Sequence, residues 1–255
     1  SKAAFLFGPS RSGKSTFLRL MQAIAGVENR TAVTLHELSS DRFAAANVYG
    51  KMLNSAADLS SAHVADLSVF KMMTGEDPIQ GNRKYGNQFT FTNQALFAFS
   101  ANELPTVSET SRAYSERIKP FEFPNSFAGR EKPGIEAGMM TELPGILVRW
   151  VAAYRRVLDR GGLLATDERV QKEFETKSDR IAQFVAEVCQ IFKASPGQYL
   201  PVTQCTKRRE LAQALNRWAE RNGGHKMGER KVFERVRQIR GVEEVRETGT
   251  KARAF

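Results

Sequence analysis

The residues best suited to chemistry stand near the start of the chain, in a segment that fits the pattern G-x-x-x-x-G-K-[ST]. An apolar run from Ala3 to Phe7 precedes it, and apolar residues at helical spacing follow until Gly26. A loop between a strand and a helix can wrap its backbone N–H groups around phosphates, and the helix N-terminus adds its positive dipole end. The segment therefore predicts a nucleotide-binding site. Its residues are Gly8, Pro9, Ser10, Arg11, Ser12, Gly13, Lys14, Ser15 and Thr16.

Two residues of this loop have roles that follow from their chemistry. We expect the Lys14 ammonium to reach the β- and γ-phosphates of ATP, and the Ser15 hydroxyl to ligate Mg²⁺. ATP and Mg²⁺ are thus the predicted cofactors. A phosphate-binding loop alone does not distinguish a kinase, a GTPase and a motor, so later residues must decide.

Asp58 and Asn102 each follow a predicted strand. Asp58 is the first acid after the strand from Lys51 to Ser55, and it is the candidate for Mg²⁺ binding and water positioning. Asn102 ends the apolar run from Ala95 to Ser100, at the edge where open α/β sheets bind ligands, and it could hold the attacking water. Spacing leaves two alternatives open: Asp58 could cap a helix, and Asn102 could cap a turn.

The charge distribution points to a polyanionic partner. The net charge is +10 and the isoelectric point is about 9.8. From Thr203 to Phe255 there are fourteen Lys and Arg against seven acids, an excess of +7. Such a concentration of positive charge favours nucleic acid as the partner. No apolar stretch is long enough to span a membrane, and Cys189 and Cys205 lack the spacing of a zinc site.

Strands that alternate with helices after such a loop predict an α/β core, a three-layer sandwich with a parallel sheet. A helix capped by Ser60 or Ser61 is expected to end at Gly75. A segment rich in Pro and Gly, 120–138, interrupts the alternation. The predicted domains are an ATPase core (1–140), a helical segment (141–195) and a basic C-terminal domain (196–255). The helical segment contains predicted helices over Leu143–Arg160 and Asp179–Phe192, and a linker over 194–197.

The C-terminal domain has the pattern of a small winged-helix module. Two helices, Arg208–Arg221 and Glu229–Ile239, are followed by two short strands, 242–246 and 251–255. The alternative is a packing module with a charged, solvated face. The predicted DNA-binding residues are Arg230, Lys231 and Arg235 on the second helix, and Lys251 and Arg253 on the wing.

The order of these motifs resembles that of superfamily-three helicases, especially the helicase part of phage and plasmid primase-helicases. The segments that carry the resemblance extend over most of the chain. They are 8–15, 49–54 leading to Asp58, 70–79 with 84–86, 99–105, and Arg117 followed by 124–127.

The resemblance implies an AAA+-type core that assembles into a homo-hexameric ring around DNA. It makes Asp58 the Walker B acid, Asn102 the sensor and Arg117 the arginine finger, which would stabilise transition-state charge in the neighbouring subunit's site. Two departures from the family leave the catalytic base and the finger open. The family often has paired acids where this chain has Asp58 alone, and an arginine pair where it has Glu116 and Arg117. Arg112 is the alternative finger.

Related helicases also carry a basic hairpin that projects into the channel of the ring. The matching segment, Gly81–Asn87, lies between two short predicted strands. Arg83 and Lys84 would contact phosphates, and Tyr85 could stack on a base. The alternative is a solvated surface hairpin with Tyr85 packed below it.

These observations predict an ATP-dependent DNA helicase or translocase that acts on single-stranded or forked DNA in the replication of a phage or mobile element. We expect it in the cytoplasm of a bacterial host cell, as the C-terminal part of a longer polypeptide whose preceding part could hold a primase module. The first alternative is an ATP-dependent DNA-binding initiator or regulator that unwinds nothing. A small-molecule kinase would explain the loop but not the basic tail or Arg117.

Overall fold

In the computed structural model, the chain divides into two units, Ser1–Ser178 and Asp179–Phe255. The structure describes residues 3–62, 64, 66–105, 107, 114, 116–189, 206–221, 226–237, 239, 245–246 and 253–254. The division differs from the predicted boundaries after 140 and 195, because most of the predicted helical segment packs on the first unit. The predicted linker 194–197 lies outside the described residues.

The first unit is built on a five-stranded parallel sheet in the order β2-β3-β6-β1-β7. Strands buried on both faces of such a sheet are apolar throughout, and the segments AAFLF of β1 and LFAFSA of β6 have this composition. The sheet is compatible with the predicted phosphate-binding α/β sandwich. The strands are β1 (Ala3–Phe7), β2 (Arg30–Thr31), β3 (Leu53–Ala56), β6 (Leu96–Ala101) and β7 (Ile118–Glu122).

Three helices and a 3₁₀ helix connect the strands of the sheet. Helix α2 begins with a capping box, in which the Thr34 hydroxyl accepts from the Glu37 amide and the Glu37 carboxylate accepts from the Thr34 amide. The elements are α1 (Lys14–Ala25), α2 (Leu35–Ser40), the 3₁₀ helix (Ala44–Val48) and α3 (Ser68–Gly75). The predicted helix after Ser60 begins only at Ser68, because Val64 instead pairs with Val107 in an isolated parallel bridge. Its predicted end at Gly75 is confirmed.

A two-stranded antiparallel hairpin stands apart from the main sheet. It consists of β4 (Pro78–Gly81) and β5 (Phe89–Thr92), with Gly81 opposite Phe89. Gly81 is required at its position, because a Cβ there would lie 2.5 Å from an atom of the Phe89 ring. The hairpin therefore has the position along the chain that the sequence predicted.

Three further helices complete the first unit: α4 (Ile135–Thr141), α5 (Leu143–Asp159) and α6 (Glu168–Ser178). The first two contact α1, and α6 contacts β7. Phe174 of α6 is buried with its ring centroid 5.5 Å from that of Phe5, so α6 closes the core over β1. The prediction of α5 is confirmed, including Pro144 in its first turn.

The second unit contains α7 (Arg180–Val188), α8 (Arg208–Arg221), α9 (Glu229–Val236) and the paired strands β8 (Val245–Arg246) and β9 (Arg253–Ala254). Phe184, Leu215 and Val232 are fully buried between the three helices. The helix order and the antiparallel pair follow the predicted sequence of elements. The turn of the predicted wing, 247–252, lies outside the described residues, so the winged-helix assignment stays a prediction. Among the described residues, none of the helices combines the length and apolar composition needed to cross a membrane.

Candidate functional site

The loop between β1 and α1 has a backbone that only glycine can adopt at its first position. Gly8 has a φ of +143°, and a Cβ there would lie 2.2 Å from the carbonyl oxygen of Phe123. Gly13 has a φ of +94° and caps α1. The Phe123 amide donates to the Phe7 carbonyl at 2.8 Å, which holds the chain after β7 against the start of the loop. The positive φ angles therefore favour glycine at both positions, and the close approach of Phe123 requires it at Gly8.

The Lys14 side chain is folded back over this loop. Its ammonium group donates to the carbonyl oxygens of Gly8 at 2.9 Å and Pro9 at 2.7 Å. It also lies 3.1 Å from the Ser12 hydroxyl and 3.0 Å from Oδ1 of Asn102. Lys14 is only 4% exposed, and this burial lowers its pKa, while the charge of Asp58 acts to raise it. Because three N–H bonds are shared among four acceptors, the ammonium can exchange a protein acceptor for an anionic oxygen.

Asn102 reaches Lys14 because of strand order. Strands β1 and β6 are adjacent and parallel, with Phe7 opposite Ala101, so the residue after β6 lies beside the loop after β1. The Asn102 side chain accepts from the Lys14 ammonium, which gives it a contact across the site. A group in this position can orient a water or a phosphate oxygen next to the lysine.

Asp58 follows β3, one strand beyond β6. It is exposed, has a left-handed φ of +52°, and its amide lies 3.4 Å from the Ser100 hydroxyl. The alternative that Asp58 caps a helix does not hold, since the next helix begins at Ser68 and is preceded by Asp66, whose carboxylate accepts from the Ser68 amide. Asp58 follows β3 at the same end of the sheet as the loop, and its charge acts to raise the pKa of Lys14.

The oxygen atoms at this edge suit the predicted Mg²⁺. Ser15 lies partly exposed in the first turn of α1, and Asp58 adds a carboxylate whose charge is felt at the loop. Mg²⁺ is commonly held by one or two protein oxygens, with water and phosphate filling the remaining positions. Among the described residues there is no group of three or more His, Cys, Asp or Glu that could hold a metal ion by themselves.

The sequence did not predict that residues 123–136, the flanking segment, lie along the loop. The Phe127 amide donates to the Arg11 carbonyl at 3.0 Å, and the Ser126 hydroxyl donates to the Ser10 carbonyl at 3.0 Å. Arg11 pairs with Glu131 at 2.6 Å. These contacts join positions more than a hundred residues apart, and the only sequence signal was the richness of 120–138 in Pro and Gly. The exposed Arg11 is thus directed to an acid of the flanking segment.

Arg117 lies where the strands begin, at the opposite end of the sheet from the loop. It directly precedes β7, and its carbonyl accepts from the Ala3 amide at the start of β1. Its side chain is partly buried, with Nη2 3.4 Å from where a Cβ of Gly75 would stand. Since β1 separates Arg117 from Lys14, the guanidinium is not part of its own chain's loop site. The alternative finger, Arg112, lies outside the described residues.

The hairpin presents its basic and aromatic residues at the tip. Tyr85 is 97% exposed and has a φ of +62°, so it is not packed below the hairpin as the alternative required. The Arg83 guanidinium lies 4.8 Å from the Phe89 ring centroid, and the Lys84 ammonium lies 5.4 Å from that of Tyr85. All three are exposed, which leaves cations and an aromatic ring open to solvent.

Two residues that the sequence did not single out stand beside this hairpin. Tyr49 is 50% exposed, and its ring centroid lies 4.9 Å from that of Phe89. The Arg42 carbonyl accepts from the Asn82 side chain at 3.4 Å, which places the exposed Arg42 at the same face. Neither has a local signal, because both are brought to the hairpin by the 3₁₀ helix that contacts β4.

In the second unit, the predicted DNA-binding residues fall into different environments. Arg230 and Lys231 are exposed, and Arg230 pairs with Glu234 at 3.0 Å. Arg235 is not open to a ligand: it is 15% exposed and bound to Asp179 at 2.6 Å, and Asp179 also caps α7. We therefore withdraw Arg235 from the predicted DNA contacts. Lys251 lies outside the described residues, and for Arg253 only the backbone, in β9, is described.

Comparison with known proteins supports the fold. The pattern of a protein family of unknown function, DUF5906, matches residues 6–117, which is less than half of the chain. A structure titled "The A form apo structure of NrS-1 C terminal region-CTR" is similar over 100% of this chain, at 15% identity and a TM-score of 0.51. A second, "The apo structure of NrS-1 C terminal region (305-718)", is similar over 99%, at 15% identity and a TM-score of 0.50.

This chain spans 66% of the length of each of those two structures. At 15% identity the likeness concerns the fold of the chain and not its activity. No curated protein matches the chain.

The steric requirement at Gly8 gives a direct test of the loop. We expect Gly8→Ala to lower the free energy of unfolding by about 2–5 kcal/mol, because the new methyl group meets the Phe123 carbonyl at a φ unfavourable for alanine. Gly138→Ala in α4, where nothing lies within 4 Å, is the control and should be neutral or stabilising by up to about 1 kcal/mol. Denaturant unfolding of both variants measures the difference, and equal stabilities would contradict the described contact.

Proposed function

We propose that this protein is an ATP-driven DNA helicase or translocase that acts in phage or mobile-element replication. The observation that carries the proposal is the position of the Lys14 ammonium, between the carbonyls of its own loop and Asn102 of the adjacent strand, with the Asp58 charge nearby. A buried lysine at a glycine-bearing loop, beside a polar side chain and a carboxylate, has the parts needed to bind and hydrolyse a triphosphate.

In the proposed reaction a water attacks the γ-phosphorus, and the bond between that phosphorus and the bridging oxygen of ADP breaks. Lys14 neutralises charge on the β- and γ-phosphate oxygens, while Asn102 orients the water. Mg²⁺, held by Ser15 and Asp58, would supply further charge neutralisation. Asp58, an exposed carboxylate whose charge acts on Lys14, is also the candidate to accept the proton of the attacking water.

The place of Arg117 supports a site shared between subunits. It lies at the start of β7, whereas its own loop follows the end of the neighbouring strand β1. Parallel strands of five residues span about 16 Å, which is too far for a side chain to cross within one subunit. An arginine there can reach a triphosphate only in a neighbouring copy, as the proposed ring requires.

Helix α5 supplies a surface suited to such an assembly. None of its seventeen residues is buried, although Trp150 packs its ring 6.2 Å from that of Phe17 on α1. A second, open face carries apolar side chains at positions i, i+4, i+7 and i+11. They are Leu147, Val151, Tyr154 and Leu158. An exposed apolar stripe of this kind is typical of a contact with another protein surface, and we assign it to the proposed homo-hexamer.

The hairpin is the proposed grip on DNA. Arg83 and Lys84 can neutralise phosphates while Tyr85 stacks on a base, without reading the sequence. Tyr49 and Arg42 extend the same combination of ring and cation to the base of the hairpin. Arg230 and Lys231 of the second unit provide a further basic surface for duplex or single-stranded DNA.

Replacement of Lys14 tests the nucleotide site. We expect Lys14→Ala to lower ATP turnover by about 10²–10³-fold, because the charge that developing phosphate oxygens require is removed, and to leave DNA binding unchanged. Lys172→Ala, which removes an exposed lysine of α6, is the control and should hydrolyse ATP normally. Phosphate release and fluorescence anisotropy with labelled DNA measure the two activities. Normal turnover by Lys14→Ala would refute the assignment.

Mixed assemblies test the shared site. Arg117→Ala should lower turnover by about 10³-fold or more, as the loss of an arginine finger does. When Arg117→Ala protein is mixed with Lys14→Ala protein, some interfaces combine an intact loop with an intact arginine. Part of the activity should therefore return. If the mixture stays as inactive as its components while forming the same assemblies, Arg117 does not act in the neighbouring site.

The hairpin is tested by the double variant Arg83→Ala, Lys84→Ala. We expect it to hydrolyse ATP but to lose strand displacement. The slope of log affinity for DNA against log salt concentration should become less steep by about 1.4, since two phosphate contacts are removed. The double variant Lys132→Ala, Lys172→Ala removes the same charge from exposed positions outside the hairpin. Strand displacement at the wild-type rate by the hairpin variant would show that the grip lies elsewhere. ATP hydrolysis without strand displacement by the wild-type protein would favour the non-unwinding initiator.

A further inference from the structure

Three aromatic side chains meet at the first turn of the helix that follows the phosphate-binding loop. The Phe17 ring centroid lies 6.2 Å from that of Phe123, which directly follows β7, and 6.2 Å from that of Trp150 on α5. The three planes are tilted by 55° and 44°, so the rings form a packed cluster. Phe17 nevertheless remains 39% exposed. An aromatic residue in this place is not required by the phosphate-binding motif.

Backbone contacts of Phe17 and Phe123 hold the cluster in place next to the loop. The Phe17 amide donates to the Gly13 carbonyl at 2.9 Å, and the Phe123 backbone both bonds to Phe7 and lies against Gly8. Arg19, one half-turn after Phe17, pairs with Glu136 of α4 at 2.7 Å. Helices α4 and α5 are thereby held on α1, with Trp150 beside Phe17. The exposed part of the Phe17 ring therefore has a defined position relative to the loop.

The nucleoside end of a triphosphate bound in the loop would point toward this cluster. In loops of this pattern the lysine reaches the β- and γ-phosphates, while the backbone amides hold the α- and β-phosphates. The α-phosphate, and the nucleoside attached to it, then lie toward the residues that follow Lys14, which are Ser15, Thr16 and Phe17. A base next to the α1 helix would meet the open part of the Phe17 ring.

We infer that the base of the nucleoside triphosphate stacks on the Phe17 ring, which packs against Phe123 and Trp150. The inference rests on the proposed nucleotide binding at the loop and adds to it the residues that recognise the nucleoside. Stacking on an aromatic ring accepts any base, since every base has a π-face. The cluster thus supplies affinity for a nucleoside polyphosphate over a bare polyphosphate.

The test compares ADP with inorganic pyrophosphate, which carries the same phosphate groups and no nucleoside. Binding of each to the full chain is measured by calorimetry. We expect Phe17→Leu, which keeps an apolar side chain, to weaken ADP binding roughly tenfold, the lower part of the range for loss of one stack, and to leave pyrophosphate binding unchanged. Phe17→Trp should bind ADP like the wild type. Phe121→Leu, which alters an exposed aromatic residue of β7 outside the cluster, is the matched control and should bind both ligands normally.

Tryptophan fluorescence provides a second readout. The chain has two tryptophans, Trp150 and Trp218, and in a Trp218→Phe background the emission reports on the cluster alone. ADP should change this emission and pyrophosphate should not. If Phe17→Leu weakens both ligands equally, or neither, Phe17 only packs α5 on α1 and the inference is overturned. If neither ligand binds the wild-type chain, the proposed nucleotide site itself fails.

Discussion

The parallel pairing of β1 with β6 is the constraint on which the rest of the site depends. It sets the ends of the two strands side by side, so that the loop after Phe7 meets the residue after Ala101. Lys14 then has Asn102 within hydrogen-bonding distance, and Asp58 lies one strand further along the same edge. With a one-residue slip of β6, every side chain of the strand would face the opposite layer and Asn102 would lose the lysine. Packing opposes that slip, because Phe97 and Phe99 belong to one core cluster and Ala98 to another, so the slip would exchange large and small side chains between them.

Burial of a cation at this edge has a consequence for what the site can bind. The Lys14 ammonium is removed from water, which lowers its pKa, and the loop carbonyls, Asn102 and the charge of Asp58 compensate in part. A desolvated cation interacts more strongly with an anion than an exposed one does. The flanking segment strengthens this arrangement, since the Phe127 amide and the Ser126 hydroxyl donate to carbonyls of the loop and fix its backbone. The proposed phosphate binding, the proposed base stack and the shape of the loop thus depend on one set of contacts around Gly8 and Phe123.

The basic residues of the chain divide into those open to a ligand and those used by the fold. Arg83 and Lys84 are exposed over aromatic rings, whereas Arg235 is held by Asp179 at the start of α7, and Arg11 by Glu131 beside the loop. Positive charge alone therefore does not define a nucleic-acid surface. The hairpin differs in that an exposed tyrosine stands next to its exposed cations, with the half-exposed Tyr49 ring packed on Phe89 beside them.

The sequence by itself determined the loop, the strand before it, the helices α1, α5 and α8, and the alternation of strands and helices, because these follow from local spacing and apolar periodicity. It also placed Lys14, Asn102 and Asp58 at strand ends that a parallel sheet brings to one edge. Only the tertiary structure decided that Asp58 caps no helix, that Arg235 is held in an ion pair, that the flanking segment contacts the loop, and that Phe17 packs on Phe123 and Trp150. The physical reason is distance along the chain, because each of these outcomes depends on partners tens of residues away, which no local pattern records. The first depends on the Val64–Val107 bridge, which delays the helix to Ser68.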